Sequence, residues 1–461
     1  MISLLPVGGG NEIGANCFYL NFNGNGVILD CGIHPQKNGF DSLPKFELLE
    51  NKSTDYVLIS HAHQDHIAAL PFLIKKFPHI KIFSTPQTRA LAELTLHNAV
   101  SILKKEISDD QFEFYMHDDV DLLIKMINYS EYEKGFLLQS FHQQTEANVT
   151  ATFFDAGHIL GSAGILLDNN GYKIFYTGDI NLSNQAIQTS AILPKVKVNT
   201  LILETTYGAT DSSQLLSWDK EAERFAKEAN KVLTSGGSIL IPVFALGKLQ
   251  ELLATIWLLM QKGKLSQVDI FTGGIGTKIN RVYDYNRYVV NRIDKEFELS
   301  AIPQNDYNEL TSTDDFFKHP LIVLASSGMM IKGTSSYEFA KRFLQQINSA
   351  IFTVGYMDEN TPGFKIANAN KGEKLFLDES DKSIEVKCEI KNFRFSAHAK
   401  REELLAIVKK LKPDNVILIH GDEHAINWVG KEILSSFKKT KVYSPVCGKE
   451  IVLSNQEILN K

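Results

Sequence analysis

Long apolar runs are missing from this 461-residue chain. The stretches Gly237 to Gly247 and Leu252 to Met260 fall well short of the ~18–20 residues that a membrane helix needs. No membrane partner is therefore expected. Cysteine is scarce, with Cys17, Cys31, Cys388 and Cys447 far apart and no CxxC pair among them. Such spacing argues against a disulfide framework and for a reduced, cytoplasmic compartment with the thiols in the core. The residues after Met1 lack a basic n-region and a long apolar h-region, so no secretory signal is expected. An excess of positive charge is lacking too. Lys and Arg number 48 against 54 Asp and Glu, a net charge of −6, which excludes a polycation that coats nucleic acid by bulk charge. A local basic channel stays compatible with that balance. Gly8-Gly9-Gly10 lacks GxGxxG spacing and Gly273 to Lys278 lacks Walker spacing, so neither an NAD nor an ATP site is supported.

What is present reads as an ordinary globular chain of two or three domains, at roughly 100–200 residues each. Val27 to Asp30, Tyr56 to Ser60, Ala151 to Asp155, Ala163 to Leu167, Tyr172 to Tyr176 and Asn199 to Glu204 are short apolar runs between turn residues, the pattern of buried strands. Asn23-Gly24-Asn25-Gly26 is a hairpin signal. Ile67 to Phe77 and Thr88 to Lys105 carry helical spacing, and 108–130 is polar and helix-prone before a return to strand near Gln139. After Gly208 the texture changes. Helical stretches Ser217 to Leu233 and Leu246 to Met260 bracket the strand Ser238 to Ile241, and strands Val268 to Phe271 and Leu321 to Ala325 follow in a βαβ rhythm that predicts a parallel sheet. From Cys388 onward short mixed strands return, at Cys388 to Phe395, Val416 to His420 and Val442 to Ser444.

Chemistry concentrates in His61-Ala62-His63-Gln64-Asp65-His66, directly after a strand. Histidines two apart at a strand end point to one side, because side chains alternate with period two. Asp65 and His66 then fall where the chain turns into a helix. Imidazole and carboxylate without thiolate suit zinc, with manganese or iron as alternatives. Asp30 and His420 end apolar strands and precede Cys31-Gly32 and Gly421, while His158 and Asp179 follow Gly157 and Gly178 just past theirs, the way a sheet delivers ligands to one rim. Singly each could be a turn or a cap; with the hexad they form a set large enough for two metals.

The hexad with Asp30, His158 and Asp179 resembles the metallo-β-lactamase fold. Leu203 to Gly208 (LETTYG), Pro242 to Gly247, Ala325 to Met330 (ASSGMM), Phe395 to Ala399 (FSAHA) and Ile419 to Gly421 resemble its β-CASP branch, in the right order along nearly the whole chain. The likeness is greatest to the ribonucleases of that branch, related to the cleavage-and-polyadenylation endonuclease subunit and to RNase J. The resemblance implies an α/β chain built as an αββα sandwich from residues 1–207 and 386–461, with an inserted parallel α/β β-CASP cap at 208–385 and the active site in the cleft between them. It implies one Zn²⁺ (or Mn²⁺) on His61, His63 and His158, a second on Asp65, His66 and His420, and Asp179 bridging. Asp30 would orient a ligand by hydrogen bonding. Glu204 and His398 match the pair over the scissile phosphate, and His420 stands where RNA nucleases tend to have His and Artemis-like DNA nucleases Val.

The implied reaction is hydrolysis of single-stranded RNA by a hydroxide shared between two metals, with Asp65, Glu204 and His398 as catalytic residues and His398 as the general acid. Ser326, Ser327 and Gly328 follow an apolar strand and are the expected phosphate contacts. Lys391 to Asp414 carries seven basic against three acidic residues, a candidate nucleic-acid face or a solvated helix. Lys332, Lys400 and Phe364 depart from the family pattern and leave groove electrostatics open. Rival readings are a DNA nuclease of the same superfamily, a small-molecule hydrolase and a non-catalytic RNA-processing scaffold. Self-association as a homo-oligomer, and cleavage from an end or internally, are not decided by sequence.

Overall fold

Val27, Leu29, Leu58, Ile165, Ile174, Ile202 and Ile417 are buried in one apolar cluster, while their strand neighbours Ile28, Val57, Leu201 and Val416 are buried in others. Strands covered on both faces read as near-continuous apolar runs, and here the cause is two sheets packed face to face with helices on their outer sides. The computed structural model describes residues 1–37, 39–106, 115–139, 148–309, 313–355, 357–378 and 382–454. Among them, one sheet has the order Ile451–Ser454, Ile2–Gly8, Cys17–Phe22, Asn25–Leu29, Tyr56–Leu58, Lys81–Ser84 and Ile127–Tyr129. The other has the order Lys441–Tyr443, Asn415–Ile419, Thr200–Glu204, Tyr172–Tyr176, Ala163–Asn169, Asn148–Asp155 and Phe136–Gln139. The αββα sandwich is complete when Leu404, Ile407 and Val408 of helix Arg401–Leu411 and Ile426 and Val429 of helix Glu423–Ser436 cover the second sheet. Leu70, Leu73, Ala92 and Leu96 cover the first.

Both sheets contain a parallel group. Asn25–Leu29, Tyr56–Leu58 and Lys81–Ser84 run together in one, and Tyr172–Tyr176, Thr200–Glu204 and Asn415–Ile419 in the other. Parallel strands end on one rim, which is why Asp30, His61, Asp179, Glu204 and His420, each just past or at a strand end, can meet. The turn between Cys17–Phe22 and Asn25–Leu29 is the two residues Asn23 and Gly24, both with positive φ (53° and 95°), as a tight hairpin requires. The expected helix over Ile67 to Phe77 is two, Gln64–Ile67 and Leu70–Lys76. Pro71 lies in the first turn of the second, where its missing N–H is tolerated, and it cannot continue the first. Of the polar segment 108–130, residues 108–114 lie outside the described residues, and His117–Met126 is helical. No helix among the described residues is long and apolar enough to cross a membrane.

The chain divides into two compact units. The sandwich comprises 1–182, 190–214 and 398–461, and the second unit 183–189 and 215–397. The second has a sheet ordered Asn305–Asp306, Asp269–Thr272, Leu321–Ala325, Ile239–Pro242, Ala350–Val354 and Glu389–Phe393, parallel throughout. Glu389–Phe393, expected in the segment returning to the sandwich, pairs instead with Ala350–Val354 over five residues. A strand's own residue pattern does not name its partner.

Glu251, on helix Lys248–Gln261, ties 183–189 into this second unit by accepting hydrogen bonds from the N–H groups of Ile187 (2.7 Å) and Gln188 (3.1 Å). Burial pushes its carboxyl up to about 7 although those donors pull it down. The unfolded chain releases this proton near the ordinary 4.5 and the folded chain near 7, so the folded state loses stability as pH rises through that window. Glu251→Gln is expected to flatten that slope. Thermal melts at several pH values between about 4.5 and 7 check it, and an unchanged slope would show that Glu251 is ionised throughout.

Candidate metal centre

Ser60 and His61 leave the strand Tyr56–Leu58 into the rim, and His61 is fully buried. Its Nε2 lies 3.1 Å from His63 Nδ1, which in turn lies 3.2 Å from His158 Nε2. Asp179 Oδ2 stands 3.6 Å from both His61 Nε2 and His158 Nε2. Four ligand atoms thus converge on one point. The short helix Gln64–Ile67 turns Asp65 and His66 to a second point, where His420 Nε2 is 3.1 Å and His66 Nε2 3.4 Å from Asp65 Oδ2. Asp179 reaches this cluster with its other oxygen, Oδ1, 3.4 Å from His66 Nε2 and 3.5 Å from His420 Nδ1.

The donor set fits cations. Asp179 Oδ1 is buried without a hydrogen-bond partner, a costly state for a carboxylate oxygen that a metal ion would relieve. Burial and the neighbouring His66 hold His61 well below the ordinary imidazole range, which leaves it neutral as a ligand must be. Burial would raise Asp179, but His420, His66 and His61 hold it well below the carboxylate range. Burial would likewise lower His66 and His420, yet the carboxylates of Asp179 and Asp65 raise both. Within the chain these groups serve as each other's counter-ions.

Asp30 lies beneath the ligands, fully buried. Its Oδ1 accepts from Ser60 N–H at 2.6 Å, and its Oδ2 from Ser60 Oγ at 2.7 Å and Tyr176 OH at 2.5 Å. His66 Nδ1 donates to Oδ2 at 2.7 Å, which leaves Nε2 facing the cluster. Asp30→Asn is expected to weaken metal affinity by ~10–100-fold, the usual loss when a ligand's orienting partner is removed. Chelator competition measures it, and unchanged affinity would sink the orienting role. Gly32 is the backbone counterpart. A Cβ there would lie 1.8 Å from the Asp65 carbonyl, because Asn16 N–H and Cys31 N–H bond the Asp65 and His66 carbonyls.

Glu204 ends its strand fully buried. His398 Nδ1 donates to its Oε1 at 3.0 Å, and the His398 ring centre lies 4.5 Å from that of His158. Glu204 Oε1 also accepts from Ile180 N–H and its Oε2 from Thr206 N–H, both at 3.0 Å. Thr206 Oγ1 is 3.1 Å from His420 Nδ1. One carboxylate therefore holds His398, the residue after Asp179, and the residue that steadies His420.

The structure brings together Asp30, His61, His63, Asp65, His66, His158, Asp179, Glu204, His398 and His420. Ser326, Ser327 and Gly328 belong to the second unit, after Leu321–Ala325. There Ser327 O accepts from Ser336 Oγ at 2.7 Å and Ser326 O from Ser336 N–H at 3.0 Å, contacts that seat helix Ser335–Phe343. Sequence reasoning missed Ser60, Tyr176 and Thr206. Ser60 adjoins the hexad and Thr206 lies two residues past Glu204, which are usable signals. Tyr176 reaches Asp30 from the opposite sheet and carries none.

A sandwich with two His/Asp clusters on one rim, bridged by a carboxylate, defines a protein built to hold metal. Three family descriptions match the chain: a metallo-beta-lactamase superfamily domain over 19–206, a Beta-Casp domain over 249–366, and a Zn-dependent metallo-hydrolase RNA specificity domain over 383–445. An RNase J-like protein of Methanocaldococcus jannaschii is 31% identical, covering 92% of this chain and 93% of that one. Cleavage and polyadenylation specificity factor subunit 3 of Dictyostelium discoideum is 30% identical over 96% of this chain and 56% of its own length. The Integrator complex subunit 11 homolog of the same organism is 28% identical over 99% and 62%. The chain thus spans little more than half the length of these last two relatives. A crystal structure of a protein of unknown function from Enterococcus faecalis shares the fold, with TM-score 0.56 and 12% identity over 98% of this chain and 99% of that one. The chain belongs to the β-CASP branch of the metallo-β-lactamase superfamily.

Proposed function

We propose that the chain is a zinc-dependent ribonuclease that hydrolyses phosphodiester bonds of single-stranded RNA. The observation that carries this reading is Asp179, whose two oxygens face the two ligand clusters while Glu204 and His398 stand beside them. Ions held by His61, His63 and His158, and by Asp65, His66 and His420, would supply an acidified water and neutralise charge on phosphate. The chain's own residues do the rest. His398 hands a proton to the departing ribose oxygen from Nε2, because Glu204 occupies its Nδ1–H. Asp30 keeps the His66 Nε2 lone pair aimed at its cluster. RNA is favoured by the RNA specificity match at residues 383–445, by the names of the relatives, and by His420 at the position that separates RNA from DNA nucleases in the resemblance.

Purified protein would be incubated with zinc or manganese and matched single-stranded RNA and DNA, each labelled at one end. RNA fragments that depend on added metal are the expected result. Internal fragments would make it an endonuclease and a mononucleotide ladder an exonuclease. DNA cut while RNA stays intact would overturn the choice of substrate. Metal bound with neither strand cut would favour the scaffold.

A further inference from the structure

In a chain of net charge −6, eight lysines meet on one rim of the sandwich. Lys195 and Lys197 come from the loop before Thr200–Glu204, Lys409, Lys410 and Lys412 from the end of Arg401–Leu411, and Lys438, Lys439 and Lys441 from the turn into Lys441–Tyr443. Backbone contacts hold the three segments together. Val198 N–H donates to Leu411 O at 3.1 Å, Asp414 N–H to Asn199 O at 3.0 Å, and Lys441 N–H to Asp414 O at 2.9 Å. Lys195, Lys197, Lys410 and Lys412 line a cleft of about 340 Å³ with Pro194 and Val196. Within these segments Asp414 is the acidic residue, and it pairs with Lys197 at 2.8 Å. The other seven lysines form no ion pair among the described residues, and all eight are exposed.

The C-terminal end of a helix favours cations, which accounts for Lys409 and Lys410. It does not account for Lys195, Lys197 and Lys441, brought to the same rim by a loop and a strand. So many like charges held together repel one another, and an anionic ligand offsets that cost. The aromatic side chains of the turn and strand, Phe437 and Tyr443, are half-buried, so bases find little to stack on. Lysines alone address phosphate, without sequence preference. The rim lies at the N-terminal ends of Thr200–Glu204 and Asn415–Ile419, whereas Glu204 and His420 lie at the C-terminal ends. Five residues of strand separate the two by roughly 15 Å.

We propose that this lysine rim binds the phosphate backbone of RNA away from the metal clusters, an anchor for substrate beyond the segment being cut. The assignment rests on the ribonuclease reading for its choice of polyanion. The test replaces Lys195, Lys410, Lys412 and Lys439 together by Gln in the full chain, with metal bound and in a His398→Ala background so that RNA persists. Fluorescence anisotropy of a labelled unstructured RNA is followed across a salt series, and a matching set of Arg replacements serves as the conservative control. The Gln protein is expected to bind more weakly, with a log–log salt slope shallower by about 3, at roughly 0.7 per lost phosphate contact for single strands. The Arg protein should retain the parental slope. Unchanged affinity and slope in a Gln protein that melts like its parent would overturn the anchor, even if the wild type cleaves RNA. Loss of RNA binding in the Gln protein would uphold the anchor, even if the wild type cleaves nothing and the ribonuclease reading falls. Displacement of RNA by polyglutamate or phosphatidylserine vesicles at lower concentration than by unlabelled RNA would assign the rim to another partner and overturn the proposal.

Discussion

Asp179→Ala is expected to strip metal from both ligand clusters and to lower phosphodiester turnover by roughly a thousandfold. A metal pair contributes several kcal/mol of charge stabilisation to such a displacement, and about 1.4 kcal/mol corresponds to each factor of ten. Asp179 is the residue whose loss touches both clusters, since Oδ2 lies 3.6 Å from His61 and His158 while Oδ1 lies 3.4 Å from His66. Removing it also removes the counter-charge for His66 and His420, so like-charged imidazoles would face one another when protonated. Elemental analysis after dialysis reads the metal directly, and Asp179→Asn, which keeps the shape and loses the charge, separates a lost ligand from a collapsed rim. Parental metal content in both variants would refute the bridging role.

His398→Ala is expected to lower turnover by ~10²–10⁴-fold, the range of a general acid, while leaving bound metal at the parental level. The side chain sits beside the clusters without belonging to either, hydrogen-bonded to Glu204 at 3.0 Å. Added imidazole should restore part of the lost rate, because the vacated space lies next to His158 and the lost function is a proton. Metal lost in step with activity would make His398 a ligand instead. Glu204→Gln has a mixed outcome by design of the site. Its carboxylate also accepts from Ile180 and Thr206 N–H, so some metal should be lost along with turnover.

Much of the rim was legible in the sequence because it is local. The hexad His61 to His66 needs only a strand that ends and a helix that begins, and period two places His61 and His63 together. Glycine neighbours marked Asp30, His158, Asp179 and His420 as strand-end positions. The expected phosphate contacts Ser326 to Gly328 were also placed by a strand end, and in the second unit the carbonyls of Ser326 and Ser327 seat helix Ser335–Phe343. The helix expected over Ile67 to Phe77 broke at Ala68 and Ala69, just ahead of Pro71, a signal present in the sequence but outweighed by apolar spacing.

The sequence by itself determined many of the strands, among them those leading to Asp30, Glu204 and His420, which residues could ligate metal, and the family. Each follows from patterns a few residues long. Tertiary structure alone decided that Glu389–Phe393 pairs with Ala350–Val354 and that Tyr176 crosses the sandwich to Asp30. It also decided that lysines from three distant segments share a rim opposite the metal clusters. Hydrogen bonds and charge act over a few ångströms of space, so such pairings arise only once the packed sheets have brought those segments together.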